Sequence, residues 1–284
     1  MSNIRIVTDS TADIPLSVRK ELGIEMVPLK IHFGSETFLD AVTLQSEEFY
    51  GKLAAASTLP TTSQPSPVEF LEVYKKLTEE PDTEIISIHL AASLSGTYQS
   101  AVIARSMMEE EQSHVHLFDS RSASYGIGVL AVAAAKAAKE GQSVEQIMEL
   151  VQRIREKFKI YFLVDTLTYL QKGGRIGKAS ALIGSLLNIK PILSLDDNGQ
   201  VVPIDKVRGQ KKAMARIIEM MSGDITGKSI HLHVAHANSM ETAVQLREMI
   251  EAQFEVLSFG YIDLSPVVGT HAGPGTVAAF VLPD

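Results

Sequence analysis

Residues 84–90, Glu84-Ile85-Ile86-Ser87-Ile88-His89-Leu90, form an apolar run too short for a helix. A polar turn follows at once, Ser93-Leu94-Ser95-Gly96-Thr97-Tyr98-Gln99-Ser100-Ala101, and a helical pattern then continues towards Glu110. The same order of strand, polar loop and helix recurs nearby. Residues 4–8 lead into Asp9-Ser10-Thr11-Ala12-Asp13 and a helix that Pro15 opens and Gly23 closes. Residues 115–118 lead into Asp119-Ser120 and two helices, 125–139 and 143–158. Buried strands alternating with helices predict a mostly parallel sheet.

The second half has a different rhythm. Strands at 160–164, 189–195 and 201–204 include a hairpin around Asp197-Asn198-Gly199, an Asn-Gly turn signal. A strand at 229–235, a helix at 240–252 and strands at 255–260 and 277–282 complete it. With 284 residues the chain is long enough for two cores. The expected fold class is α/β with two α/β domains: residues 1–160 with a mostly parallel sheet, and residues 161–284 with a mixed sheet. Finer expectations are a hairpin over 26–39 turning at Gly34-Ser35, and a stiff polar loop over 60–67. Ser66 and Glu69 form a capping box with Pro67 at the first helical position. An apolar helix is expected at 179–188 and a polar loop at 269–276.

Ligands of open α/β sheets collect at the carboxyl ends of the strands. Helix starts there offer free N–H groups and partial positive charge, which suit a carboxylate or phosphate. Ser95 and Thr62 each add a hydroxyl donor just before a helix, with Ser93 a weaker candidate. Plain helix capping is the competing explanation for all three. His271 lies in a glycine- and proline-rich segment and can complete a carboxylate clamp, or it can be a surface histidine.

A net charge of −8 argues against a general nucleic-acid binder, which needs a basic face, while leaving room for a local basic patch. The chain has no cysteine, so disulfides and thiolate chemistry are ruled out. Residues 126–138 are too few and too alanine-rich to span a bilayer, and no apolar signal segment opens the chain, so a cytoplasmic protein is expected. No metal or other cofactor is expected: His231 and His233 share a strand face without an acidic partner nearby in sequence. Arg175 and Arg208 fall in a locally basic set with Lys172, Lys178, Lys206, Lys211 and Lys212. In an acidic protein such a patch suits an acidic partner or a phosphorylated ligand, or is simply a solvated face.

Two enzyme classes compete. A serine hydrolase would need Ser95, His271 and Asp9 to converge, but the glycine that precedes the nucleophile in an elbow motif is missing. A phosphoryl-transfer enzyme would use Asp9 or the Gly174-Arg175-Ile176-Gly177-Lys178 loop. That loop has Lys172 where a P-loop's first glycine belongs, and Ala179 where Ser or Thr belongs.

Seven segments, taken in order, resemble the DegV family: Val7-Thr8-Asp9-Ser10-Thr11-Ala12-Asp13, Thr61-Thr62-Ser63-Gln64-Pro65-Ser66, Leu94-Ser95-Gly96-Thr97-Tyr98-Gln99-Ser100-Ala101, Lys172-Gly173-Gly174-Arg175-Ile176, Lys190-Pro191-Ile192-Leu193, Lys206-Val207-Arg208, and His271-Ala272-Gly273-Pro274-Gly275-Thr276. The resemblance implies two α/β domains with one long-chain fatty acid between them, its tail in an apolar tunnel. It implies that Thr62 and Ser95 hold the carboxylate with His271 close by. It further implies a non-enzyme: the binding subunit of a bacterial fatty acid kinase, which presents the carboxylate to a separate ATP-using subunit for acyl-phosphate formation and phospholipid synthesis. Arg175 and Arg208 would dock that subunit. A lipid carrier without a kinase partner is the nearest alternative. Many members carry two serines and then a small or basic residue before Leu-Ser-Gly-Thr. Here Ala91, Ala92 and Ser93 stand there, which bears on the pocket mouth.

Overall fold

The computed structural model describes residues 3–108, 114–184, 189–225, 227 and 229–284. The first part runs β1 (Asn3–Asp9), α1 (Leu16–Leu22), β2 (Glu25–Val27), β3 (Lys30–Phe33), β4 (Glu36–Leu39), α2 (Ser46–Ala55), β5 (Thr61–Ser63) and α3 (Pro67–Thr78). It continues with β6 (Thr83–His89), α4 (Thr97–Ser106), β7 (Val115–Asp119), α5 (Tyr125–Lys139) and α6 (Val144–Lys157). The second part runs β8 (Lys159–Leu163), α7 (Thr168–Lys172), β9 (Ile189–Leu195), β10 (Val201–Arg208), α8 (Gln210–Asp224) and β11 (Ser229–His236). It closes with α9 (Met240–Glu251), β12 (Glu255–Asp263), α10 (Pro266–Ala272) and β13 (Val277–Pro283).

The first sheet is parallel throughout, in the order β2-β1-β6-β7. Its central strands β1 and β6 are largely buried on both faces, and alternate residues serve alternate cores. Ile6, Ile86 and Ile88 pack under α5 and α6 with Ile127, Leu130 and Ile147. Val7, Ile85 and Val115 pack under α3 and α4 with Phe70, Tyr74 and Ala104. Each such side chain fully buried contributes roughly 1.5–3 kcal/mol.

The second large sheet is mixed, in the order β10-β9-β8-β13-β11-β12, with only β11 and β12 parallel. Period-2 alternation again decides what each face touches. Tyr161, Leu163, Ala279 and Val281 face α8 and α9 through Met214, Ile217, Leu246 and Ile250. Ile160, Phe162, Ala278 and Phe280 face the other way, towards α2 and β3. The α/β class, with one parallel and one mixed sheet, is as expected.

Several local expectations are corrected. The segment expected as one hairpin arm from residue 26 is two strands in different sheets. Val27 pairs with Asp9 in the parallel sheet, and Lys30 opens a small antiparallel sheet of order β4-β3-β5. Pro28 between them has no N–H for a ladder, so the chain changes sheets there. The polar loop at 60–67 contains β5, with Thr62 opposite Ile31. The capping box at Ser66 and Glu69 forms, with Pro67 starting α3. The apolar helix expected over 179–188 is a 3-10 helix over Gly177–Leu182, and residues 185–188 lie outside the described residues. The expected loop at 269–276 is half helix. Pro266 starts α10 after Ser265, and Gly273, at φ 80°, stops it after His271 and Ala272.

Candidate functional site

A cavity of about 860 Å³, open mouth included, lies at the carboxyl edge of the parallel sheet. Its walls come from both parts of the chain. Thr11 follows β1, and Leu90, Leu94 and Ser95 follow β6. Thr62 comes from β5; Val267, Val268 and His271 from α10; Ile160, Phe162, Ala278 and Phe280 from β8 and β13. Most of the lining is aliphatic or aromatic with a few polar groups, the make-up of a small-molecule site. This is the strand-end location expected from the sequence.

One region of the wall is polar. Thr62 Oγ1 and His271 Nε2 are hydrogen-bonded at 2.8 Å, across 209 residues of sequence. Ser95 Oγ meets Thr97 Oγ1 at 2.9 Å and accepts the Thr97 N–H at 3.3 Å. Arg175 Nε donates to the Leu94 carbonyl at 3.0 Å, and its Nη1 to the Gly173 carbonyl at 2.6 Å. The guanidinium therefore ties the loop carrying Ser95 to the end of α7. That end is pressed on the imidazole: a Cβ on Gly173 would stand 2.3 Å from His271 Nδ1.

Burial, with the nearby Arg175 charge, pushes the His271 imidazole down to about 4, so it is neutral at pH 7. With its proton on Nε2, it donates to Thr62 Oγ1 and leaves the Thr62 O–H free to turn elsewhere. With Thr97 as donor to Ser95, the Ser95 O–H is free in the same way. In that tautomer and donor arrangement each hydroxyl keeps its proton to give to an anionic oxygen.

Not every sequence candidate reaches the cavity. Ser93 is exposed and absent from the wall, because Leu94 is the residue that turns inward. Arg175 lines the cavity at its polar end. Arg208 does not: it is exposed at the end of β10, in a separate surface depression with Asp165, Thr166 and Lys190. Asp9 is also placed elsewhere. Its carboxylate accepts from Thr11 N–H (3.1 Å) and Leu90 N–H (3.0 Å) and contacts His89 Nδ1 at 3.0 Å. His89 continues to Ser87 at 2.6 Å and Ser87 to Tyr74 at 2.8 Å, a fully buried polar chain. Asp9 therefore partners His89, not His271, and the Ser95–His271–Asp9 triad is not assembled. Sequence reasoning missed Thr11 and Ser124 in the wall. Ser124 sits at φ 54° before α5, a backbone signal that spacing does not carry. Among the described residues no group of three or more His, Cys, Asp or Glu is arranged to hold a metal ion.

A model described as "Uncharacterised protein, DegV family" matches residues 3–284. The chain is 39% identical to Protein DegV of Bacillus subtilis over 277 residues, 97% of each chain. It is 40% identical over 278 residues to a DegV domain-containing protein of Halalkalibacterium halodurans, covering 98% of this chain and 97% of that one. Among solved structures, a Thermus thermophilus DegV family protein, described by its fatty acid binding, superposes with a TM-score of 0.93 at 34% identity over all of both chains. Bacillus subtilis DegV, described as a fatty acid binding protein, gives 0.89 at 36% identity, also over all of both chains. A Ruminococcus gnavus DegV family protein, refined with vaccenic acid, gives 0.86 at 29% identity over 99% of this chain and 100% of that one. The two sheets, the cavity between them and the full-length family match agree: this chain belongs to the DegV family.

Proposed function

We propose that the chain binds one long-chain fatty acid, with its tail along Ile160, Phe162, Val268 and Phe280 and its carboxylate on Thr62, Ser95 and His271. The protein is not itself an enzyme. It serves as the binding subunit of a fatty acid kinase and presents the carboxylate to a separate ATP-using subunit, in the cytoplasm, where the acyl phosphate forms. The observation that carries the acyl reading is the Thr62–His271 pair at the polar end of a largely apolar cavity. Relatives described as fatty-acid-binding proteins support it.

The energetics fit. Each buried CH₂ contributes roughly 0.8 kcal/mol, so the tail supplies most of the affinity. The hydroxyls and the imidazole satisfy a carboxylate that would otherwise be buried unpaired, and so fix its orientation. Two domains meeting near residue 160 belong to this reading: β8, at the border, contributes Ile160 and Phe162 to the wall. Arg208 is exposed and free to dock the kinase subunit, and Arg175 stands beside the carboxylate end, where that subunit must reach.

Native mass spectrometry of the purified full chain tests the binding. One acyl chain per protein is expected. A protein that carries no fatty acid and takes none up overturns the reading. Mixing the loaded protein with ATP and the ATP-using subunit of a bacterial relative tests the rest. Acyl-phosphate formation is expected, while ATP turnover or ester hydrolysis by the chain alone would show an enzyme instead.

A further inference from the structure

The helix that carries His271 is held at its base by two acids. α10 is a wall of the cavity through Val267, Val268, His271 and Ala272. Pro266 at its first position has no N–H to donate. The donors on either side of it go to carboxyl groups from the first part of the chain. Ser265 N–H donates to Asp13 Oδ1 at 3.3 Å, and Val267 N–H to Asp40 Oδ1 at 3.2 Å.

The second oxygen of each acid is held from a different side. Ser124 Oγ donates to Asp13 Oδ2 at 2.6 Å, and Ser10 Oγ to Asp40 Oδ2 at 2.7 Å. Ser124 lines the cavity, and Ser10 accepts at 3.0 Å from the N–H of Leu29, which also lines it. Two carboxyl groups thus join α10 to two other walls. Asp13 and Ser124 are both held at positive φ, 51° and 54°, a region that residues with side chains usually avoid. Asp40 is fully buried.

We propose that Asp13 and Asp40 are positioning residues of the acyl site: they seat α10, and through it His271, so that the imidazole meets Thr62 and the ligand carboxylate. The proposal rests on the fatty-acid reading of the cavity. Neither acid lines that cavity, so both act through the helix.

The charge state of the pair gives this role a signature. Burial pushes Asp13 up to about 8 and Asp40 up to about 7, against the hydrogen bonds of Ser124 and Ser10, which pull the other way. Asp40 acts on Asp13 and Asp9 on Asp40, both raising the acid they face, and Asp13, Asp40 and Asp263 together act on the Tyr50 hydroxyl. Among the described residues neither acid has a cationic partner. An opened seam would let water solvate the acids and return them to the ordinary carboxylate range. The seated helix is therefore favoured at low pH and loses ground as pH rises through 7 and 8.

The test uses the full chain stripped of lipid and compares its affinity for a fatty acid with that for the fatty alcohol of equal length. Both are measured at about pH 6.5 and about pH 8.5, on either side of the range in which the acids ionise. Asp13→Ala and Asp40→Ala should bind the fatty acid about tenfold more weakly, the effect of leaving a buried helix donor without its acceptor. Their loss for the alcohol should be much smaller. Wild-type affinity for the acid should fall at the higher pH, whereas the double variant Asp13→Asn, Asp40→Asn, neutral at both positions, should keep the low-pH value throughout. Equal losses for acid and alcohol would reduce the pair to a merely structural role and overturn the proposal. If the alanine variants do not fold, the double asparagine variant decides: a pH response matching wild type overturns it. A wild-type protein that binds neither ligand overturns the acyl reading itself, a result distinct from either.

Discussion

Gly173→Ala isolates the clamp from the tail. In most helical surroundings this exchange stabilises by about 0.4–1 kcal/mol, through lower entropy of the unfolded chain. Gly173 closes α7 at φ −74°, which alanine accepts without strain. The obstacle is space: the new Cβ would stand 2.3 Å from His271 Nδ1 and 3.0 Å from the Tyr169 carbonyl. Reaching ordinary contact at about 3.5 Å requires the ring to move about 1 Å. The 2.8 Å bond from His271 Nε2 to Thr62 does not survive that shift. Losing it costs about 0.5–1.5 kcal/mol, and a ligand carboxylate left short of a donor adds about 1–3 kcal/mol. Fatty-acid affinity should therefore fall by about tenfold to a thousandfold, with each 1.4 kcal/mol worth a factor of ten. The lipid-free protein should melt within a few degrees of wild type. Fluorescence displacement with a fatty acid, alongside calorimetric melting of the lipid-free protein, measures both. A variant that melts higher and binds as tightly as wild type would show that His271 has room to move and that no fixed clamp exists.

Thr62→Ala should weaken fatty-acid binding by about 1–2 kcal/mol and leave binding of the matching alcohol nearly unchanged, as read by isothermal titration calorimetry. Arg208→Ala should retain its acyl chain in native mass spectra yet lose most kinase-dependent acyl-phosphate formation, whereas Arg175→Ala, at the cavity mouth, should lose both in part. Asp9→Ala leaves His89 Nδ1 and the Leu90 N–H without their acceptor in the core and should cost about 1–3 kcal/mol for each stranded group in urea unfolding, with Asp9→Asn milder. His233 and His271 are held by burial near 4 against an ordinary 6.5, so the unfolded chain takes up the extra protons as pH falls and their contribution is lost between pH 6.5 and 4. Asp13 and Asp40 act in the opposite sense, so from pH 6.5 to 8 only their loss remains. Melting temperature should decline there, and the double asparagine variant should abolish the decline.

The sheets were legible in the sequence because burial on both faces leaves an unbroken apolar run, as at 84–90, and one turn type marks the hairpin at Asn198-Gly199. Ser95 was legible as a hydroxyl at the end of such a run, Thr62 as one in a polar loop before a helix, and His271 as a histidine in a glycine- and proline-rich segment. Their meeting was not, since the Thr62–His271 bond spans 209 residues and depends on how three sheets stack. Local pattern misled in two places. Gly269, Gly273 and Gly275 read as a loop, whereas Gly269 is helical and leaves room for Phe49 and Tyr50 of α2 to touch the backbone of α10. Ser93 read as a weaker companion of Ser95, yet it is exposed and does not reach the cavity at all. Asp13 and Asp40 gave no signal because nothing in sequence separates a buried acid from a surface one.

β13 is the last strand of the described chain, yet it lies inside its sheet, between β8 and β11. Until it docks, the six strands cannot join: β10-β9-β8 and β11-β12 remain two fragments, each showing an open edge. The wall made by Ala278 and Phe280 is then missing too. Joining the sheet therefore takes a long-range closure, the kind of step that is slow and leaves unpaired strands open to other chains. A lipid present during refolding would meet a container with one side off. The binding-competent state arrives only with the strand that completes the sheet.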